Sequence, residues 1–237
     1  MNKRVLILTG TTDIKRNPNE TDSTMEEVFD LTLPSKIKYA KKYGYDILAL
    51  RSFGTDQNNV FTNTEIGFLR ELRTFDMLKH YDIVMWVDAD SIITNDNFSI
   101  DDFQLDDDHC FYASWDWTGK SSFSTGNFII KNAPSTEQMF KAFLSVGKYV
   151  KDSKQWGEEQ TTMNTILNST SLGKHIKVLD HKYLNSIPGK NILGSIWGSD
   201  RPEPKFPWSN DSFLVHLTGI GNTERINLIK TYFSRFI

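Results

Sequence analysis

The chain has 237 residues, 38% of them hydrophobic and 13% aromatic, which is enough to bury a substantial core and suits one domain over 1–237. A formal net charge of -3 argues against the basic surface that a nucleic-acid binder needs to neutralise phosphates. Cys110 is the only cysteine, so no intrachain disulfide forms and no sulfur cluster chelates zinc; within Cys110-Phe111-Tyr112-Ala113 it reads as a buried core thiol.

Arg4 to Gly10 is a continuous apolar run closed by Thr and Gly, the pattern of a central parallel strand covered on both faces. Residues 11–24 are polar and rich in Asn, Asp and Thr, a long loop or a flap over the strand's edge. A helix is predicted from near Pro34 to Gly44, with Lys41 and Lys42 in its last turn, and Tyr45 to Leu50 returns as a second strand. From Thr64 to His80, Ile66, Leu69, Leu72, Phe75, Met77 and Leu78 recur at near-helical spacing, with Arg70 and Arg73 on or beside the other face. Tyr81 to Val87 is a third buried strand. Cys110 to Ala113 and Asn127 to Ile130 read as further strands, Ser135 to Val150 and Glu158 to Leu167 as helices, Phe213 to His216 as a short strand, and Glu224 to Phe236 as an amphipathic closing helix. The alternation predicts an α/β fold, a central mostly parallel sheet flanked by helices. No stretch approaches the ~20 apolar residues of a membrane span, so the chain is expected to be cytoplasmic, or the soluble catalytic domain of a membrane-anchored parent.

The third strand runs from Val84-Met85-Trp86-Val87 straight into Asp88-Ala89-Asp90. Residues two apart on an extended chain point to one side, so the carboxylates are expected to converge beyond the strand's carboxyl end, where open α/β sheets bind ligands. Two like charges that close call for a divalent cation, and oxygen ligands suit Mg²⁺ or Mn²⁺, which can bridge a diphosphate and stabilise it as a leaving group. A plain alternative is that both aspartates cap the turn that follows at Ser91 to Asn95.

Tyr81 to Asn95 resembles the Asp-x-Asp segment of GT-A glycosyltransferases. Ser35 to Asp46 resembles the Lys-x-x-Tyr-Ala-x-x-x-Gly-Tyr-Asp segment of glycosyltransferase family 34, Thr125 to Asn132 that family's Asn-Thr-Gly-x-Phe-x-x-Arg-Asn strand, and Glu158-Glu159-Gln160 its Asp-Asp-Gln. The matches fall in family order and span roughly residues 4 to 220. The resemblance implies a GT-A, Rossmann-like fold and a metal-dependent transferase that moves a sugar from a UDP- or GDP-sugar to a glycan or other hydroxyl acceptor with retention of configuration. Carried over by position, Asp88, Asp90 and His216 are the expected ligands of Mn²⁺ or Mg²⁺. Asp88-Ala89-Asp90 also meets the donor, with Thr9, Gly10 and Thr11 at the base and ribose and Arg70 and Arg73 on phosphate or sugar hydroxyls. Gln160 is the expected group under the anomeric carbon, with Glu159 beside it as the alternative nucleophile of a two-step route.

Two positions depart from the pattern. Retaining GT-A enzymes place a Lys five or six residues after the late His, where this chain has Gly221 and Asn222, so backbone N–H groups near Gly219 or the Arg225 side chain are the expected substitutes at the β-phosphate. Ser124 stands where the family has Asn, and Asn127 is the expected replacement. Competing readings are a glycogenin-like retaining transferase, a haloacid dehalogenase-type phosphatase and a catalytically silent nucleotide-sugar binder. The phosphatase pattern wants Thr or Val where Ile92 stands. Trp115 and the Trp197 to Trp208 stretch offer stacking faces for an acceptor.

Overall fold

Six strands, β1 (Val5–Thr11), β2 (Asp46–Arg51), β3 (Ile83–Val87), β5 (Phe111–Asp116), β6 (Gly119–Lys131) and β7 (Ile176–Leu179), form the main sheet in the order β2-β1-β3-β6-β5-β7. The remaining two, β4 (Ser91–Ile93) and β8 (Leu214–His216), pair antiparallel as a small second sheet. The computed structural model describes residues 3–11, 24–51, 63–116, 119–152, 158–197, 203–205 and 207–237. The loop or flap expected over 11–24 lies almost wholly outside them. Helices α1 (Met25–Tyr43), α2 (Asn63–Met77), α3 (Thr136–Asp152) and α4 (Glu158–Ser169) cover the main sheet, followed by the short α5 (His181–Leu184), α6 (Lys190–Leu193) and α7 (Asn222–Leu228).

Only β6 runs against the others, since β1 pairs parallel with both β2 and β3, β5 pairs parallel with β7, and β6 is antiparallel to β3 and β5. The sheet is therefore mostly parallel, as expected, and β1 and β3 are buried along their full length. Two-residue alternation then sorts their side chains. Leu6, Leu8, Val84 and Trp86 pack with Phe75 of α2, Phe143 of α3 and Met163 of α4, while Val5, Ile7, Met85 and Val87 pack with Tyr39 and Ala40 of α1. A third core forms where Ile92 and Val215 of the small sheet, with Leu217 just beyond it, meet Val28, Leu228 and Phe233. β1 feeds β2 on one side and has β3 on the other, so its carboxyl end lies at a switch in strand order, the position where such sheets leave a crevice for ligands.

The helix expected to begin near Pro34 begins nine residues earlier, at Met25, and Pro34 lies inside it. Thr24 caps it in a reciprocal box: its side chain accepts from the Glu27 amide, and Glu27 accepts from the Thr24 amide. The predicted end holds, with Gly44 at φ 67° bonding back to Ala40 and Lys41. The closing helix starts at Asn222 and after Leu228 loosens into a π turn, Ile229–Phe233, and a 3-10 turn, Ser234–Phe236. Cys110 is buried as expected. Among the described residues no helix is long and apolar enough to cross a membrane.

Candidate active site

The apolar run of β3 ends at Val87, and the chain then leaves the strand. The Ser91 amide donates to the Asp88 carbonyl at 3.1 Å, so Asp88 and Asp90 converge through a tight turn and not along an extended strand as the two-residue spacing suggested. Asp90 is set by the small sheet, where Ser91 lies opposite His216 and the Leu217 amide donates to the Asp90 carbonyl at 3.0 Å. That pairing brings a side chain from 126 positions away beside the acidic pair. One ligand atom each from Asp88, Asp90 and His216 lies within 4.8 Å of the others.

The imidazole is oriented by its second nitrogen. Asn185 Nδ2 donates to the Trp115 carbonyl at 3.0 Å, which leaves Asn185 Oδ1 as an acceptor 2.9 Å from His216 Nδ1. Nδ1 therefore carries the proton, and Nε2 turns its lone pair toward Asp90 Oδ1 at 3.3 Å and Asp88 Oδ2 at 3.8 Å. Gly126 of β6 faces the same spot: a Cβ there would lie 3.0 Å from both Asp88 Oδ2 and His216 Nε2, and closer still to His216 Cε1. The missing side chain is a hollow between two would-be ligands, and with an imidazole and two carboxylates around it the donor set fits Mn²⁺ or Mg²⁺.

Around this centre the charges are paired. Arg70 Nη1 bonds Asp88 Oδ1 and Oδ2 at 2.8 and 3.0 Å, and its Nη2 bonds Glu159 Oε1 at 3.0 Å. Burial works against the Arg70 charge, but Asp88, Glu71 and Glu159 outweigh it and hold the guanidinium above its ordinary range. Burial also opposes the Asp90 charge, yet the Arg225 guanidinium at 2.9 Å draws its carboxyl well below the usual carboxylate range. Arg70 and Arg225 against Asp88, Asp90 and Glu159 leave these five side chains one negative charge in excess.

The other expected residues are distributed unevenly. Gln160 is half-buried on the first turn of α4, and its Oε1 accepts from the Thr125 amide at 3.3 Å, which sets it one residue from Gly126. Thr9, Gly10 and Thr11 are buried at the carboxyl end of β1, and neither threonine hydroxyl has a hydrogen-bond partner among the described residues. Ala89 is buried in the turn, its carbonyl accepting from Thr32 Oγ1 at 2.6 Å. Gly219 adopts φ 75° in the turn after β8. Arg73 is exposed, one turn along α2 from Arg70, and has no hydrogen bond to the cluster. Ser124 Oγ accepts from the Gly126 amide, and Asn127 Oδ1 accepts from the Asp88 amide at 3.1 Å. Arg225 is spoken for: besides Asp90 it donates to the Leu217 carbonyl at 2.9 Å and Asn222 Oδ1 at 2.7 Å. Trp208 is likewise turned to its own chain, its indole 2.9 Å from Thr94 Oγ1 and its ring edge-on to Phe233. Trp115 is half-buried, and the Trp197 side chain lies outside the described residues.

Sequence reasoning missed Trp86, Asn185, Gly126 and Lys36. Trp86 lies in the motif strand, and its indole donates to Asp88 Oδ1 at 2.6 Å. Lys36 lies in the segment that resembles family 34; fully buried, it donates to Thr32 Oγ1 at 3.1 Å beneath the Asp-Ala-Asp turn.

The architecture recurs in solved structures. A glycosyltransferase involved in the glycosylation of the major capsid of PBCV-1 superposes with a TM-score of 0.64 at 17% identity, over 96% of this chain and 98% of that one. The galactosyltransferase LgtC, in complex with donor and acceptor sugar analogs, matches with a TM-score of 0.54 at 14% identity, over 90% of this chain and 87% of that one. The glycosyltransferase GlyE of Streptococcus pneumoniae TIGR4 matches with a TM-score of 0.52 at 12% identity, over 99% of this chain and 64% of that one. At these identities the likeness is one of fold. No curated protein sequence matches this chain closely enough to count as a relative. Taken with a sequence-family match, the fold defines the class: a glycosyltransferase of the GT-A type. The particular resemblance is to the galactosyl transferase GMA12/MNN10 family, glycosyltransferase family 34, whose profile matches residues 1–110, from β1 through the Asp-Ala-Asp turn.

Proposed function

We propose that the protein transfers a sugar from a UDP- or GDP-sugar to a glycan or other hydroxyl acceptor, with retention, using a divalent cation held by Asp88, Asp90 and His216. The observation that carries this reading is the convergence of those three side chains on the hollow left by Gly126. The cation, Mn²⁺ in preference to Mg²⁺ because of the imidazole, supplies positive charge for the departing diphosphate. Thr9, Gly10 and Thr11 line the strand end suited to the base and ribose, where two hydroxyls without a hydrogen-bond partner among the described residues await a polar ligand. Arg70 meets the donor from α2 while holding Asp88 and Glu159 in register. Gly219 and its neighbours border the diphosphate; Arg225 serves Asp90 instead, and Arg73 is left for the outer edge of the donor.

Gln160 stabilises the developing positive charge at the anomeric carbon through its side-chain carbonyl, while the leaving phosphate takes the acceptor's proton. Its Oε1 keeps a second lone pair beyond the long bond to the Thr125 amide. Glu159 is tied to Arg70, which favours Gln160 over it as the group facing the sugar.

A thermal-shift panel of UDP- and GDP-sugars with and without Mn²⁺ is expected to show stabilisation by one nucleotide series only when the cation is present, followed by donor cleavage that a chelator abolishes. Cleavage indifferent to chelation would remove the cation from the reaction. Gln160→Ala is expected to lower turnover by about 100-fold or more with donor affinity little changed; a folded variant at full turnover would sink the role given to Gln160, and a trapped glycosyl ester on Glu159 would move the chemistry there.

A further inference from the structure

Each aspartate of the cluster has one oxygen held by a fixed donor that its other oxygen lacks, and that other oxygen is turned toward His216. The Trp86 indole N–H reaches Asp88 Oδ1 at 2.6 Å, whereas Asp88 Oδ2 lies 3.8 Å from His216 Nε2. Arg70 straddles both oxygens and does not distinguish them, so among the described hydrogen bonds it is the indole that decides which one faces inward. Trp86 is fully buried and stacked on Phe128, and cannot turn without opening the core. At Asp90 the arrangement repeats with a different donor: Arg225 Nη2 holds Oδ2 at 2.9 Å, and Oδ1 lies 3.3 Å from His216 Nε2. Arg225 is in turn fixed by the Leu217 carbonyl and Asn222 Oδ1.

We propose that Trp86 and Arg225 are positioning residues that make both aspartates bind the cation through a single oxygen, Oδ2 of Asp88 and Oδ1 of Asp90, and so select the ion. With His216 Nε2 these make a three-atom face. A small ion of octahedral preference, Mn²⁺ or Mg²⁺, accepts three such ligands and keeps three positions open for diphosphate oxygens and water. Ca²⁺ gathers six to eight oxygens and draws on two-oxygen carboxylates, which the indole and guanidinium deny it. The inference rests on the cation reading above and adds to it the cause of selectivity.

The test is calorimetric titration of the metal-free protein with Mn²⁺ and with Ca²⁺, for wild type, Trp86→Phe and Arg225→Lys. Wild type is expected to prefer Mn²⁺ by about tenfold or more, and either substitution to weaken Mn²⁺ binding by about tenfold or more while narrowing the preference, since the carboxylate then loses the donor that tells its two oxygens apart and can turn both toward Ca²⁺. A folded Trp86→Phe with wild-type preference overturns the proposal. A measurement on the unaltered chain covers the case in which neither variant folds. With ¹⁵N-labelled tryptophan, the Trp86 indole N–H is expected to remain shifted and protected from exchange after Mg²⁺ is added; loss of that protection on adding Mg²⁺ overturns the proposal. Wild-type protein that binds no Mn²⁺ overturns the cation reading itself, a result distinct from Mn²⁺ binding with unaltered selectivity in Trp86→Phe.

Discussion

Gly126 shows how much of the site depends on an atom that is absent. Gly126→Ala puts a methyl group against Asp88 Oδ2 and His216 at once, too close to His216 Cε1 for both to stay in place, so a side chain of the cluster or β6 itself must shift. The variant is expected to lose Mn²⁺ affinity by about tenfold or more and about 1–3 kcal/mol of stability, read by calorimetry and urea denaturation; a stable variant with full Mn²⁺ affinity would show that the cation lies elsewhere. At this scale Asp88 and Asp90 were legible, because two carboxylates after an apolar strand have few other uses. His216 was legible only through family resemblance, since a histidine at a strand end says nothing of what lies opposite. Asn185 carried no signal, and Gly126, although it matches the Gly of the family's Asn-Thr-Gly strand, gave no hint of its part: both parts follow from side chains brought beside them by folding.

Among the elements, α1 teaches most. Proline marks a helix's first turn by default because its missing N–H costs nothing there, and that reasoning placed the start at Pro34. The capping box at Thr24 and Glu27 sets it at Met25 and leaves proline in the interior, where it removes the amide that would bond the Asp30 carbonyl. Thr24→Ala is therefore expected to cost about 1 kcal/mol, and Pro34→Ala to stabilise by up to about 3 kcal/mol, both measured by denaturant titration. Two silent substitutions would mean the helix starts where the proline suggested. The added turns matter to function, since Thr32 on them donates to the Ala89 carbonyl inside the Asp-Ala-Asp turn. β4 went unread for a related reason: Ser91-Ile92-Ile93 is too short to show a period, and its strand character comes from pairing with β8.

For the whole molecule, two buried groups of opposite sign shape stability against pH. Burial, helped by Glu159 and Asp88 and opposed by Arg70 and by a bond from the residue's own backbone, pushes the Glu71 carboxyl from 4.5 up to about 8. The folded protein then keeps a proton that the unfolded chain has released, so this group's share of stability is lost as pH rises from 4.5 to about 8. Burial, opposed by Asp90 and Asp88, lowers Lys36 from 10.5 to about 7; here the unfolded chain holds the extra proton, and stability is regained as pH climbs through that window. Glu71→Gln should thus gain on wild type by at least ~1.4 kcal/mol at pH 8, the worth of one pKa unit, and gain nothing at pH 4, in metal-free urea titrations; an equal gain at both would show that Glu71 does not titrate in the fold. The continuous apolar runs of β1 and β3, alternating with helical stretches, determined an α/β fold, the resemblance to glycosyltransferase family 34 supplied the transferase, and the carboxylates at the rim marked the centre of the candidate site, because burial and charge repulsion act on neighbours in sequence. Tertiary structure decided what surrounds that centre. Trp86 meets Asp88 from within β3, but His216, Arg225 and Arg70 reach the aspartates from elements whose meeting depends on strand order and sheet pairing, and short-range periodicity carries no record of either.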